Sequence, residues 1–225
     1  MTSHRPIRIW DLPLRLFHWA LVLCVVGLVV SAQIGGNAMV WHFRFGYAVI
    51  SLLLFRLLWG LLGGHWSRFS SFLYAPSQLL RYLRGRRDIA TDSGHSPLGA
   101  LSVFAMLIAL VLQVSTGLFS DDEISAAGPL TALVSNKIVS TATFYHSAIG
   151  KKIILALILL HLVAIGYYSW VKRQALVRAM ITGDKVLNPE TPASQDTLKT
   201  RLLALGLLAS CGAIVAILLW VVRPT

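Results

Sequence analysis

The sequence predicts an all-α integral membrane protein: a bundle of four transmembrane helices followed by a fifth, C-terminal one. Three observations lead there. Apolar stretches long enough to cross about 30 Å of hydrocarbon lie at residues 14–34, 42–62, 98–119, 146–170 and 201–222. Hydrophobic residues make up 56% of the 225-residue chain and charged ones only 13%, about half the share of a soluble domain. Four histidines, His18, His42, His146 and His161, fall inside or at the mouths of the first, second and fourth stretches, and the fifth has none. Residues 1–185 are read as the four-helix domain and residues 186–225 as a loop and the extra helix.

The elements follow in order. The segment from Arg5 approaches the membrane with Trp10 and Trp19 suited to the interfacial belt and Pro13 to the first turn of a helix. Val30-Ser31-Ala32 has the look of a signal-peptidase site. Cleavage there would discard His18, and the apolar run is long for a signal peptide, so span one is read as retained. Residues 33–41 form a short turn, and Gly63-Gly64 stops span two. In the connection 65–97, Pro76 opens a helix with Leu79, Leu80 and Leu83 on one stripe and Arg81, Arg84 and Arg87 on another, a pattern suited to lying on headgroups; a solvated basic loop is the alternative. Span three ends near Phe119, and the acidic run Asp121-Asp122-Glu123 follows. Residues 130–145 read as a short surface helix, and residues 183–197, with Gly183, Pro189 and Pro192, as a flexible loop.

The formal charge of +11 is distributed as in a membrane protein, with no nucleic-acid footprint. Arg5, Arg8 and Arg15 precede span one; Arg68, Arg81, Arg84, Arg86 and Arg87 lie between spans two and three. Lys172, Arg173, Arg178, Lys185, Lys199 and Arg201 lie between spans four and five, and the other side has little beyond Arg44, Lys137 and Arg223. Cytoplasmic loops are enriched in Lys and Arg, which puts the N-terminus inside and the C-terminus outside and turns the basic face toward anionic lipid. Cys24 and Cys211 are isolated within spans and read as small core or lipid-facing residues.

The four histidines carry the chemistry. A lone histidine in a membrane helix could serve as an interhelical hydrogen-bonder, but four at matching depths fit that poorly, and neutral imidazole is the usual axial ligand of haem iron. On a regular helix His146 and His161, 15 residues apart, are separated by about 22 Å along the axis and about 60° around it. Alternating span directions then put His42 and His146 at the outer depth and His18 and His161 at the inner one. Two pairs at two depths describe two bis-histidine haems. Without a C-x-x-C-H motif they are haem b. Gly46 and Gly150 each lie one turn after an outer histidine, where a missing side chain admits a flat macrocycle; small residues for helix–helix contact fit the pattern equally. Arg56, about 21 Å deeper than His42, points into the bundle toward an inner propionate or snorkels to headgroups. Lys151 reaches either headgroups or an outer propionate. His4, His65 and His95 lie in loops and read as polar surface residues.

The runs Arg8-Ile-Trp-Asp-Leu-Pro-Leu-Arg-Leu-Phe-His18-Trp, Phe55-Arg56-Leu-Leu-Trp-Gly-Leu-Leu-Gly-Gly, Gly94-His95-Ser-Pro-Leu-Gly and Leu176-Val-Arg-Ala-Met-Ile-Thr-Gly183 resemble the bacterial cytochrome b561 family. The branch they resemble is that of the cytochrome b subunits accompanying nickel–iron hydrogenases or partnering c-type cytochromes. The likeness covers roughly residues 6–185. It implies a multi-pass protein of the bacterial inner membrane that binds two b haems and passes electrons between the quinone pool and a periplasmic c-type cytochrome or hydrogenase-like subunit. His18, His42, His146 and His161 take the ligand roles; span five is assigned none. The acidic run is a docking surface if the partner is basic, and the chain is a candidate homo-oligomer. Two other readings stay open: a free-standing superoxide:ubiquinone oxidoreductase, and a non-redox membrane anchor.

Overall fold

The computed structural model describes residues 5–85, 93–124 and 126–222. Arg86, Arg87, His4 and Arg223 lie outside these described residues. In chain order the elements are β1 (Arg5–Arg8), α1 (Leu12–Ile34), α2 (Met39–Leu62), α3 (Pro76–Leu83), α4 (Pro97–Leu118), α5 (Asn136–Phe144), a π-helical segment (Tyr145–Gly150), α6 (Lys151–Trp170), α7 (Leu176–Thr182), β2 (Asp184–Leu187) and α8 (Leu198–Val221). Five helical stretches are long and apolar enough to cross a membrane. Each shows apolar side chains outward: Leu23, Ile108, Leu160 and Leu205 are 66%, 60%, 61% and 63% exposed, as helices facing lipid require. The protein is a mostly helical, multi-pass membrane protein.

The chain packs as two units. The first takes residues up to Phe17, Arg56–Ala105 and Leu159–Gly206. Here β1 pairs antiparallel with β2, Arg5 opposite Leu187 and Arg8 opposite Asp184. Gly183, at φ 92°, ends α7 in the left-handed conformation that suits glycine, and its carbonyl accepts the amides of Ile9 (2.9 Å) and Trp10 (3.0 Å). Residues 183–197 are therefore an ordered strand and strap where a flexible loop is expected from composition. Ser194 is buried, its hydroxyl donating to Ile9 O at 2.7 Å, and Trp66 Nε1 donates to Pro192 O at 2.6 Å. These contacts hold a Pro-containing polar segment that has no hydrophobic periodicity of its own. Trp10 is likewise 6% exposed, packed inside this unit where an interfacial belt is expected.

Asp11 organises the unit. Its carboxylate is fully buried and accepts from Leu14 N (2.9 Å), Trp59 Nε1 (3.1 Å), Gly64 N (3.2 Å) and Ser67 Oγ (2.5 Å). The first of these caps α1; the others tie the end of α2 to the same point. Around it Ile9, Trp59 and Phe72 are almost wholly buried. Pro76 opens α3 as the sequence predicts, at a position where its missing N–H is not needed.

The second unit takes His18–Phe55, Met106–Ile158 and the chain from Leu207. Its main departure from expectation is at the start of span four. Residues 136–144 form no separate surface helix. They run on through the π segment into α6, giving one helical stretch from Asn136 to Trp170 of 35 residues. The sequence looks weak there because Thr141, Thr143 and Lys137 dilute the apolar pattern, yet Thr141 and Thr143 satisfy their hydroxyls on carbonyls four residues back, at Lys137 and Val139 (both 2.8 Å). The π turn widens the spacing, so the regular count assumed between His146 and His161 does not hold. Close packing rests on Gly27, where a β-carbon would meet the Phe45 ring at 2.5 Å. Cys24 and Cys211 are buried thiols.

Candidate functional site

In the second unit, His42 at the start of α2 faces His146 in the π segment. Their ring centroids are 6.1 Å apart and their planes 85° to one another. His42 Nδ1 lies 3.1 Å from Leu28 O, with Ser31 Oγ at 3.4 Å, and His146 Nδ1 lies 2.9 Å from Gln113 O. A carbonyl only accepts, so each Nδ1 carries the proton and donates. That fixes the tautomer and leaves Nε2 on each ring as the nitrogen with a free lone pair.

Both rings line a cavity of about 440 Å³. Its wall is mainly apolar, with Val25, Met39, Leu110 and Ile154 among the lining residues. Gly46 opens on it, and a β-carbon there would meet nothing within 4 Å. Lys151 also lines it. Gly150 does not: a β-carbon there would fall 2.0 Å from Gln113 Oε1 and 2.8 Å from the Tyr145 ring. Of the two glycines singled out from sequence, one faces the cavity and the other makes room for a side chain.

Two residues that sequence spacing missed shape this site. A β-carbon on Gly117 would lie 2.7 Å from His146 Cε1, so only glycine leaves room for the ring against α4. Gln113 accepts from His146 Nδ1 through its backbone and donates from Nε2 to His146 O at 2.9 Å. A lone glutamine inside span three was the available signal. In the acidic run, Asp121 Oδ1 accepts the Glu123 amide (2.8 Å) and Asp122 Oδ1 those of Ile124 (3.0 Å) and Ala126 (2.8 Å), so both carboxylates shape their own loop.

The other sequence-derived residues fall as follows. His18, in the second unit, is half-buried with its ring edge-on to Trp19 at 5.1 Å. His161, in the first, is half-buried on α6. Arg56, 2% exposed, does not snorkel: its Nη1 donates to Ser67 O at 3.0 Å and its guanidinium lies over the Phe69 ring at 4.5 Å. His65 is exposed, as expected. His95 is not a surface residue. Its ring lies between Trp10 (4.7 Å) and Phe72 (4.4 Å), and its Nδ1 is buried without a hydrogen-bond partner among the described residues. Burial, reinforced by the positive charges of Arg56 and Lys185, pushes its pKa down to about 3.

Residues 9–183 match the family model described as prokaryotic cytochrome b561. The chain belongs to that family. That family implies a membrane b-type cytochrome, with haem b as the cofactor. Among curated proteins it is similar to the probable Ni/Fe-hydrogenase 1 B-type cytochrome subunit of Escherichia coli K12, at 24% identity over 135 residues, 48% of this chain and 57% of the relative. It is also similar to the probable Ni/Fe-hydrogenase B-type cytochrome subunit of Bradyrhizobium diazoefficiens, at 20% identity over 216 residues, 80% of this chain and 85% of the relative. The chain thus spans little more than half the length of the first of these. No solved structure matches it.

Proposed function

We propose that this cytochrome is a dihaem conduit carrying electrons across the bacterial inner membrane, between the quinone pool and a hydrogenase-like subunit or c-type cytochrome on the periplasmic side. The observation that carries the reading is the facing pair His42 and His146. With metal–imidazole bonds of about 2 Å, two rings on one iron have centroids about 6 Å apart, and these are at 6.1 Å. Each Nδ1–H is held by a carbonyl, the outer-sphere arrangement that orients a ligating imidazole and raises its basicity. The cavity of about 440 Å³ falls in the range of about 300–1,000 Å³ typical of cofactor sites. Gly46 leaves a flat wall, and Lys151 stands at the cavity as a cation for a propionate.

When bound, haem supplies one-electron redox chemistry; the chain's residues supply ligation, orientation and a medium of low dielectric. The second haem, with His18 and His161 as its ligands and the quinone near it, rests on the family likeness. The partner rests on the names of the relatives, and the orientation, N-terminus inside, on the basic loops. A pyridine haemochrome count on the purified protein tests the reading. Two haems per chain are expected, falling to one in His42→Ala and in His146→Ala. A colourless protein, or variants that keep both haems, would overturn it.

A further inference from the structure

His146 is held more tightly than its partner, and one residue does the holding. Gln113 touches it twice: its backbone carbonyl receives the ring Nδ1–H at 2.9 Å, and its side-chain Nε2 donates to the carbonyl of His146 itself at 2.9 Å. The first contact fixes the ring and the second fixes the backbone that bears it. His42 has only ring contacts, Leu28 O at 3.1 Å and Ser31 Oγ at 3.4 Å. His146 also sits in the π segment Tyr145–Gly150, where the wider turn changes which amides reach which carbonyls and side chains can enter the ladder. Two glycines make the arrangement possible. Gly117 admits the imidazole, and Gly150 admits the amide, whose Oε1 would be 2.0 Å from any β-carbon there.

We propose that Gln113 is the positioning residue of this centre: clamped at ring and backbone, the His146 imidazole is locked with its plane perpendicular to that of His42, and Gly150 exists to seat the clamp. The inference rests on the reading of His42 and His146 as ligands of one haem. The angle between axial imidazole planes sets the electronic state of a ferric haem: perpendicular planes give a low-spin resonance of strong anisotropy, parallel planes a rhombic one. The bond from Nδ1–H to a carbonyl pushes electron density onto Nε2 and favours ferric iron. Loosening the clamp should therefore turn the ring and raise the midpoint potential.

The experiment is electron paramagnetic resonance and redox titration of the haem-loaded protein carrying Gln113→Leu, which keeps side-chain bulk and removes both amide donors. Haem content is expected to stay at the wild-type value. One strongly anisotropic signal should move toward a rhombic one, and the reduced-to-oxidised ratio of that haem at fixed potential should rise by about tenfold, or about 59 mV for one electron. Gly150→Ala, which displaces the amide, should reproduce both changes and add nothing in a Gln113→Ala background.

Wild-type signals and potentials in both single variants would overturn the proposal. So would a Gly150→Ala effect with Gln113→Leu silent, since the glycine would then act on the macrocycle directly. Failure of the ligand reading is separately visible, because His146→Ala would then keep both haems.

Discussion

In the first unit the polar groups gathered on Asp11 answer one another: Leu14, Trp59, Gly64 and Ser67 all donate to one carboxylate, and Arg56 is covered by Ser67 O and Phe69. In the second, two imidazoles each have a hydrogen bond at Nδ1 and, among the described residues, none at Nε2, on the wall of a cavity of about 440 Å³. Both units place polar atoms among apolar side chains, where an unpartnered group is destabilising. The difference lies in what completes them. A network closed by the chain holds the fold, and one left half-made in a cavity is where the proposed haem would complete it. Polar residues in a sequence this apolar therefore sort into two kinds, and the partner atoms, more than the residue types, tell which is which.

The largest expected effect breaks the closed side. Asp11→Ala leaves four donors facing apolar surroundings and removes the cap of α1. Breaking a buried charged network of this kind costs about 3–5 kcal/mol. Thermal unfolding in detergent, followed by tryptophan fluorescence, should show a transition lowered by many degrees. Haem absorbance assigned to His42 and His146 should survive in the material that remains folded. An unchanged transition would mean that the Asp11 network is not what holds the first unit.

How legible this was in the sequence follows the same division. The five spans were readable because lipid demands long apolar runs, and their ends agree with the helices to within a few residues except at span four. The facing of His42 and His146 was readable from depth, since an imidazole in a span has few alternatives. The ribbon of β1 and β2 was not, because Arg5–Arg8 and Asp184–Leu187 are four-residue strands with 175 residues between them and only each other as partners. Asp11, Gln113 and Gly117 were not readable either. Each acts through contacts set by tertiary packing, which no periodicity announces; the lone glutamine of span three marked its position but not its partner. His95 was misplaced because a polar connection between spans reads as surface, whereas Trp10 and Phe72 pack against this part of it.

A smaller effect sharpens the comparison by using the same substitution in both units. Gly117→Ala sets a methyl 2.7 Å from His146 Cε1, and Gly60→Ala sets one 2.1 Å from the Phe69 ring. Overpacking of this kind costs about 1–3 kcal/mol. In the second unit the displaced group is a proposed ligand, so Gly117→Ala should weaken haem retention by roughly tenfold, the equivalent of about 1.4 kcal/mol. In the first unit the displaced group is the half-buried Phe69 ring, which packs on Phe72 and Arg56, so Gly60→Ala should lower the unfolding temperature and leave haem retention unchanged. Haem transfer to apomyoglobin, timed for both variants, separates the two outcomes. Equal loss in both would show that glycine packing at Gly117 has no special connection to the histidine.

The smallest effect tests a histidine whose Nδ1 has no hydrogen-bond partner among the described residues. His95 has its pKa held at about 3 by burial and by the charges of Arg56 and Lys185, against about 6.5 in an unfolded chain. Above pH 6.5 the ring is neutral in both states and its contribution to stability is complete. Between pH 6.5 and about 3 the unfolded chain takes up a proton that the folded chain refuses, so stability falls as the pH falls. His95→Phe keeps a ring between Trp10 and Phe72 and removes the titration. At pH 7 it should be close to neutral, because it also removes a buried nitrogen with no partner among the described residues. From pH 7 to pH 5 the wild-type unfolding temperature should drop by more than that of the variant. Parallel pH profiles would mean that the ring opens to solvent readily enough to take its proton in the folded state, and that the first unit is less tightly closed around it than the Asp11 network suggests.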